Sequence, residues 1–202
     1  MEKAVFLDRD GVINPLIFNI SSGDYESPHN PEDFSVFTYV IKALRLLKQE
    51  GFLNIIVSNQ PSVAKGKTTM AKLKKIENML CQYSEEHGNL LDGYYYCYHH
   101  PKGIISRYAK KCKCRKPGTM FIQKAIKKFN LDITKSYLVG DQDTDIKCGN
   151  AMNLYTIKIN NKHTLNKSGT EQPNDVASNL YDAVIKIIKH YGGINYGCEK
   201  LY

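Results

Sequence analysis

Four places along the 202-residue chain collect side chains that could do chemistry. Asp8 and Asp10 stand two residues apart at the end of the apolar run AVFLDRDGVIN (4–14), with Gly11 directly after them. Ser58, Asn59 and Gln60 close a second apolar run, IIVSNQ. Arg115 and Lys116 lie in CKCRKPG, and Asp141, Asp143 and Asp145 lie in LVGDQDTD. Carboxylates suit a hard cation, a hydroxyl and an amide suit phosphate oxygens, and a lysine offsets the charge. Together they form a kit for phosphoryl transfer. An Asp-Gly turn alone is an ordinary end to a strand, so the weight rests on the clusters occurring together.

A further constellation precedes the lysine. Cys97, His99, Cys112 and Cys114 form C-x-H-x12-C-x-C, a set of soft and borderline ligands that suits tetrahedral Zn²⁺. Four protein ligands make a closed, structural site, so zinc is expected to pin the loop 97–114 rather than to react. Arg115 and Lys116 follow the last ligand directly, which couples that loop to the phosphate-binding lysine. His100 reads as a neighbour of the site or an exposed residue. Cys81, Cys148 and Cys198 read as packed or exposed free thiols, and His29, His87, His163 and His190 receive no role.

These groups need elements to hold them. Strands are predicted at KAVFLD, LNIIVSN, DGYYYCYH, SYLVGD and YTIKIN. Helices are predicted at VIKALRLLKQEG, TMAKLKKIENMLCQYSEEHG, GTMFIQKAIKKFN, TDIKCGNAMN and SNLYDAVIKIIKHYG. Repeated strand–helix units imply an α/β fold with a mostly parallel sheet covered on both faces. Active groups in such a sheet gather beyond the carboxyl ends of the strands. The first, second and last of the four clusters sit at or just after such an end, and CKCRKPG carries Arg115 and Lys116 between the third and fourth strands to the start of a helix.

Composition narrows the class. The length suits one domain spanning 1–202. No apolar run reaches the roughly 18–20 residues of a membrane helix, and the N-terminus lacks a signal-peptide core, so a cytoplasmic protein without membrane association is expected. Six cysteines without a secretion signal argue for metal or core use over a disulfide framework. The net charge of +8 favours an anionic partner. The lysines are scattered over helix faces without an aromatic-rich RNA-reading signature, so a small phosphate ester is preferred to nucleic acid.

The motifs Asp8-Arg9-Asp10-Gly11, Ser58, Lys116 and Gly140-Asp141 through Asp145 resemble those of the haloacid-dehalogenase-like phosphohydrolases. The resemblance implies a Rossmann-like three-layer core, Mg²⁺ dependence and an aspartyl-phosphate intermediate. It also implies that Asp8 is the nucleophile and Asp10 the general acid and base, with Ser58 and Lys116 gripping the phosphoryl oxygens. Mg²⁺ would be held by Asp8, the backbone carbonyl of Asp10 and Asp141. Asp145 would orient Lys116 or a metal-bound water rather than bind the metal directly, whereas Asp143 matches no role and reads as a solvated turn residue.

FLDRDGVIN, SNQ, DGYYYCYHHPKG and CKCRKP together resemble the heptose bisphosphate phosphatase and histidinol-phosphatase subfamily, the long zinc loop favouring the sugar branch. By that likeness SGDYESPHNPEDF lines the entrance, Arg115 contacts the distal part of the ester, and Gly11, Asn59 and Gln60 join Arg115 around the substrate. No large cap insertion is evident, and a monomer is expected. The chain departs from the subfamily pattern at Pro61 and Lys65, where a small polar residue and an arginine are usual, and at Gln142, where a lysine is often found.

Overall fold

A computed structural model describes residues 1–164 and 169–192. Its centre is a six-stranded sheet of β1 (Lys3–Leu7), β4 (Phe52–Asn59), β5 (Gly93–Cys97), β6 (Tyr137–Gly140), β7 (Tyr155–Ile159) and β8 (Asp175–Ala177), in the order β5-β4-β1-β6-β7-β8. Every neighbouring pair in it is parallel. The helices are α1 (Val40–Gln49), α2 (Met70–Glu86), α3 (Met120–Phe129), α4 (Asp143–Asn150) and α5 (Leu180–Gly192).

The alternation of side chains along β1 builds the three layers. Val5 and Leu7 belong to one core with Ala43, Leu44 and Leu47 of α1 and Ala183, Val184 and Ile187 of α5. Ala4 and Phe6 belong to the other, with Ile122 and Ala125 of α3 and Cys148 of α4. A strand buried on both faces must be apolar at every position, which is why KAVFL reads as an unbroken run.

β1 has β4 on one side and β6 on the other, with Leu7 opposite both Ile56 and Val139. The chain leaves β1 in one direction, runs through β4 and β5, then returns to place β6 on the opposite flank. Such a reversal opens a crevice outside the carboxyl ends of the central strands. Asp8, Ser58 and Asp141 stand at the carboxyl ends of β1, β4 and β6, and of the three Asp8 lines the crevice.

Two features go beyond the sequence pattern. β2 (Ile17–Asn19) and β3 (Asp24–Glu26) form an antiparallel hairpin after the first motif, and β8 adds a parallel edge strand. Each of these strands is three residues long, too short for a period-two signal. Among the described residues no helix is long and apolar enough to cross a membrane.

Candidate active site and metal centre

β1 ends where the backbone N–H of Asp8 donates to the carbonyl of Val139 at 3.0 Å. The chain then turns through Gly11, whose φ of +84° lies in the region that favours glycine. A Cβ at Gly11 would fall 2.2 Å from Asp141 Oδ2, so the residue is fixed by close approach to that carboxylate as well as by conformation. Its contribution is to the turn and to the seat of Asp141.

The surroundings of Asp8 are rich in negative charge. Asp8 Oδ1 accepts from its neighbour Arg9 N at 2.8 Å and lies 2.9 Å from Lys116 Nζ. The same ammonium is 2.7 Å from Asp145 Oδ1 and donates to the carbonyl of Val57 at 2.5 Å. Asp145 sits in the first turn of α4, where its Oδ2 accepts from Gln142 N at 3.0 Å. One carboxylate thus caps a helix and aims the lysine. Carboxylate oxygens of Asp8, Asp141 and Asp145 lie within 4.8 Å of one another.

Burial, reinforced by Asp145 and Asp10 against the opposing pull of Lys116, raises Asp8 to about 6. Burial and the charges of Asp8 and Asp145 drive Asp141 well upward too. For Lys116, burial pulls downward but Asp145 and Asp8 outweigh it, and the net shift is upward. Asp141 is 0% exposed; its Oδ2 accepts from Asn161 at 3.1 Å, while Oδ1 has no hydrogen-bond partner among the described residues. A buried carboxylate oxygen without a donor, beside a second carboxylate, fits a hard divalent cation.

Asn59 clamps the peptide of Lys116: its Oδ1 accepts from Lys116 N at 2.9 Å and its Nδ2 donates to Lys116 O at 3.1 Å. The expected substrate residue therefore also holds the lysine, while still lining the crevice. Gln60 differs from its expected role. It is 0% exposed, its Nε2 donating to Asp10 Oδ2 at 2.6 Å and Ser58 Oγ at 3.1 Å, and its Oε1 accepting from Arg9 at 2.9 Å. Gln60 is thus engaged at both ends of its amide and is not among the residues that line the crevice; it supports Asp10 from beneath.

Arg9 carried no role in the sequence reading and is the largest fully buried side chain among the described residues. Its guanidinium pairs with Asp10 Oδ1 and lies 6.0 Å from the ring centres of both Phe34 and Tyr96. A charged residue between two aspartates in a turn reads as solvated. The signal that could have found it is that a strand-end turn packed under a catalytic crevice has no solvent to offer.

The metal set converges as its spacing predicts. Cys97 ends β5, and the Sγ atoms of Cys97, Cys112 and Cys114 stand 3.3–3.6 Å apart. His99 Nδ1 lies 3.8 Å from Cys97 Sγ and 3.5 Å from Cys114 Sγ. Tetrahedral sulfurs around zinc at Zn–S bonds of about 2.3 Å stand roughly 3.8 Å apart, so the four donors fit Zn²⁺ with little movement.

The crevice has a volume of about 280 Å³. Asp8, Asp10, Lys116 and Asp145 line it, together with Asp24, Glu26 and Ser27 of the hairpin segment and with Ser62, Lys65, Lys67 and Arg115. Three residues of the segment expected at the entrance, Asp24, Glu26 and Ser27, are thus among the lining residues. Ser58, 2% exposed, stands at the end of β4. Asp143 is not a solvated turn residue: its Oδ1 is 2.6 Å from Lys158 Nζ, tying α4 to β7.

The remaining single residues are structural. Cys148 is in the core, while Cys81 Sγ lies 3.3 Å from Glu85. His29 is 3.2 Å from Glu26, His87 is 2.7 Å from the carbonyl of Tyr83, and His190 is 2.9 Å from the Tyr137 hydroxyl. His163 stacks on Tyr25, and His100 Nδ1 accepts from Lys102 N. Cys198 lies outside the described residues.

Residues 113–183 match the HAD-hydrolase-like family model. Over 185 residues the chain is 35% identical to D-glycero-β-D-manno-heptose-1,7-bisphosphate 7-phosphatase of Haemophilus ducreyi, a match covering 91% of this chain and 97% of that one. The chain belongs to this family of HAD-like phosphatases. The Escherichia coli K12 member is 35% identical over 153 residues, covering 76% of each chain. The fold agrees with that of D,D-heptose 1,7-bisphosphate phosphatase from B. bronchiseptica, solved with magnesium and phosphate. That match has a TM-score of 0.75 at 21% identity and covers 93% of this chain and 99% of that one. The family consists of phosphoric monoester hydrolases, which accords with the phosphoryl-transfer kit read from the residues.

Proposed function

We propose that the protein removes the 7-phosphate of D-glycero-D-manno-heptose 1,7-bisphosphate through an aspartyl-phosphate at Asp8, with histidinol phosphate and nucleic-acid 3′-phosphate ends as the competing substrates to exclude. The observation that carries the reading is the Asp8 carboxylate held against Lys116 at the floor of the crevice, beside an Asp141 oxygen with no donor. The relatives' name supplies the sugar and its β anomer.

Asp8 attacks phosphorus, forming an Asp8 O–P bond as the ester O–P bond breaks. Asp10 gives its proton to the leaving sugar oxygen. Asp10 then takes a proton from water, whose oxygen attacks phosphorus and releases phosphate from Asp8. Lys116 offsets charge on Asp8 and on the phosphoryl oxygens, and the Ser58 hydroxyl donates to one of those oxygens. Asp8, the Asp10 carbonyl and Asp141 would hold Mg²⁺, which when bound would supply charge neutralisation between nucleophile and phosphoryl group. Cys97, His99, Cys112 and Cys114 would hold Zn²⁺, and with it the segment that delivers Arg115 and Lys116. Arg115 and Lys65 face the distal part of the substrate, where a guanidinium suits a second phosphate.

The test is Mg²⁺-dependent phosphate release from both anomers of heptose 1,7-bisphosphate, beside histidinol phosphate and a 3′-phosphorylated DNA end. Highest kcat/KM on the β anomer is expected. A higher kcat/KM on either of the other two esters would replace the sugar assignment.

A further inference from the structure

The buried network around Asp10 is more elaborate than a carboxylate needs merely to stay in place. Asp10 Oδ1 accepts from Arg9 Nε at 3.1 Å, Arg9 Nη2 at 2.8 Å and Asn14 Nδ2 at 3.0 Å. Among the described residues Oδ2 accepts from Gln60 Nε2 alone, at 2.6 Å. Oδ1 is therefore saturated, and Oδ2 is the oxygen with capacity left for a proton and for a substrate.

Gln60 is held the right way round by its other end. Arg9 Nη2 donates to Gln60 Oε1 at 2.9 Å. A guanidinium can only donate and an ionised carboxylate can only accept, so the amide between them has a single orientation that satisfies both. The orientation matters when Oδ2 carries a proton. With Nε2 toward Asp10, the amide has nothing with which to accept that proton, and the leaving oxygen is its only destination. A flipped amide would present Oε1 to Oδ2 and take the hydrogen bond for itself.

We propose that Arg9 and Gln60 are positioning residues for the acid step, which make Asp10 Oδ2 the proton-carrying oxygen and keep its proton available to the leaving group. The inference rests on Asp10 acting as the general acid, and it does not depend on which sugar is the substrate. In the first half-reaction the proton on Oδ2 passes to the ester oxygen as the O–P bond breaks and the bond to Asp8 forms. In the second, water returns a proton to Oδ2. Neither positioning residue exchanges a proton.

The experiment measures kcat/KM, which reports the steps up to loss of the leaving group, for a series of substituted phenyl phosphates. The wild type, Gln60→Met, Gln60→Glu and Asp10→Asn are compared, with unfolding midpoints measured for each. A general acid matters most when the departing oxygen is most basic. For Gln60→Met the loss in kcat/KM is expected to be on the order of tenfold greater for phenyl phosphate than for p-nitrophenyl phosphate. Gln60→Glu keeps its contact with Arg9 but gives Oδ2 a competing acceptor, so its dependence on the leaving group is expected to be at least as steep as that of Gln60→Met.

A uniform loss across the series, or a milder effect in Gln60→Glu than in Gln60→Met, would overturn the proposal in favour of a purely structural role. Asp10→Asn separates the premise from the inference. A steep dependence in Asp10→Asn with a flat one in both Gln60 variants leaves Asp10 as the acid and removes Gln60 as its positioner. A flat dependence in Asp10→Asn removes the acid assignment itself.

Discussion

Asp8 and Asp10 are separated by a single residue, yet their surroundings are opposite. Asp10 receives four hydrogen bonds from three neutral or cationic side chains and is paired with a fully buried arginine. Asp8 shares one lysine with Asp145 and stands near Asp141, so three carboxylates face one ammonium. Both oxygens of Asp10 have protein donors, whereas the Asp8 side is short of positive charge by an amount a divalent cation would supply. Two carboxylates two residues apart would share one side of a regular strand; here they meet different surroundings because β1 ends at Leu7 and the chain turns through Gly11.

The largest effect that sharpens this contrast is at Asp8. Asp8→Asn is expected to lower kcat by at least about 10⁴-fold, in keeping with loss of a nucleophile. The same variant should unfold at a higher temperature than the wild type when Mg²⁺ is omitted. The raised value of Asp8 means that its charged form is disfavoured in the folded state, and the neutral amide removes that repulsion. A lower Tm in Asp8→Asn without Mg²⁺ would break the contrast.

Lys116→Met is expected to destabilise the fold by about 3–5 kcal/mol in urea titrations, because it leaves buried carboxylates without their cation. Asn59→Ala, which releases the lysine's peptide, should cost about 1–3 kcal/mol and reduce kcat more than it raises KM. If Asn59→Ala changed KM alone, Asn59 would be a substrate contact and not a clamp.

Removal of zinc with a zinc-selective chelator should raise amide exchange in residues 97–116 before it does so in β1 and β6. Three of the four ligands lie in the loop that follows β5, Cys97 is that edge strand's last residue, and Lys116 follows two residues after Cys114. Exchange rising at the same rate in the central strands would show that the metal supports the whole sheet.

The smallest expected effect is in the hairpin. Burial would raise Glu26, but hydrogen bonds from Lys67, Ser22 and Asn19 outweigh it and hold the carboxyl at about 2. A carboxylate lowered by folding contributes stability above its unfolded value and loses it as pH falls through the folded one. Stability should therefore decline between about pH 4.5 and about pH 2, and Glu26→Gln should flatten that decline. The partly exposed site limits the contribution to about 1 kcal/mol or less.

The central strands, the helices and the order of the clusters were legible in the sequence because each rests on a long periodic run or a fixed spacing. The unbroken apolar β1 announced a strand covered on both faces, and C-x-H with C-x-C announced four converging donors. What escaped depends on surroundings that a linear pattern does not carry. The hairpin and β8 are too short to show a period, though the hairpin supplies one wall of the crevice. Gln60 reads as one of three polar residues in a row, but successive side chains past the strand end face different ways, and only Gln60 turns under Asp10. Arg9 looks like a surface charge until Phe34 and Tyr96 are seen to enclose it.

The claim that Asp8 is the nucleophile is tested most directly by acid-quenching the enzyme during Mg²⁺-supported turnover and mapping any covalent phosphate by peptide mass spectrometry. One phosphoryl group on the peptide containing Asp8, absent in Asp8→Asn, is the expected result. A phosphoryl group on a different residue, or unchanged labelling in Asp8→Asn, would contradict the assignment of the two aspartates.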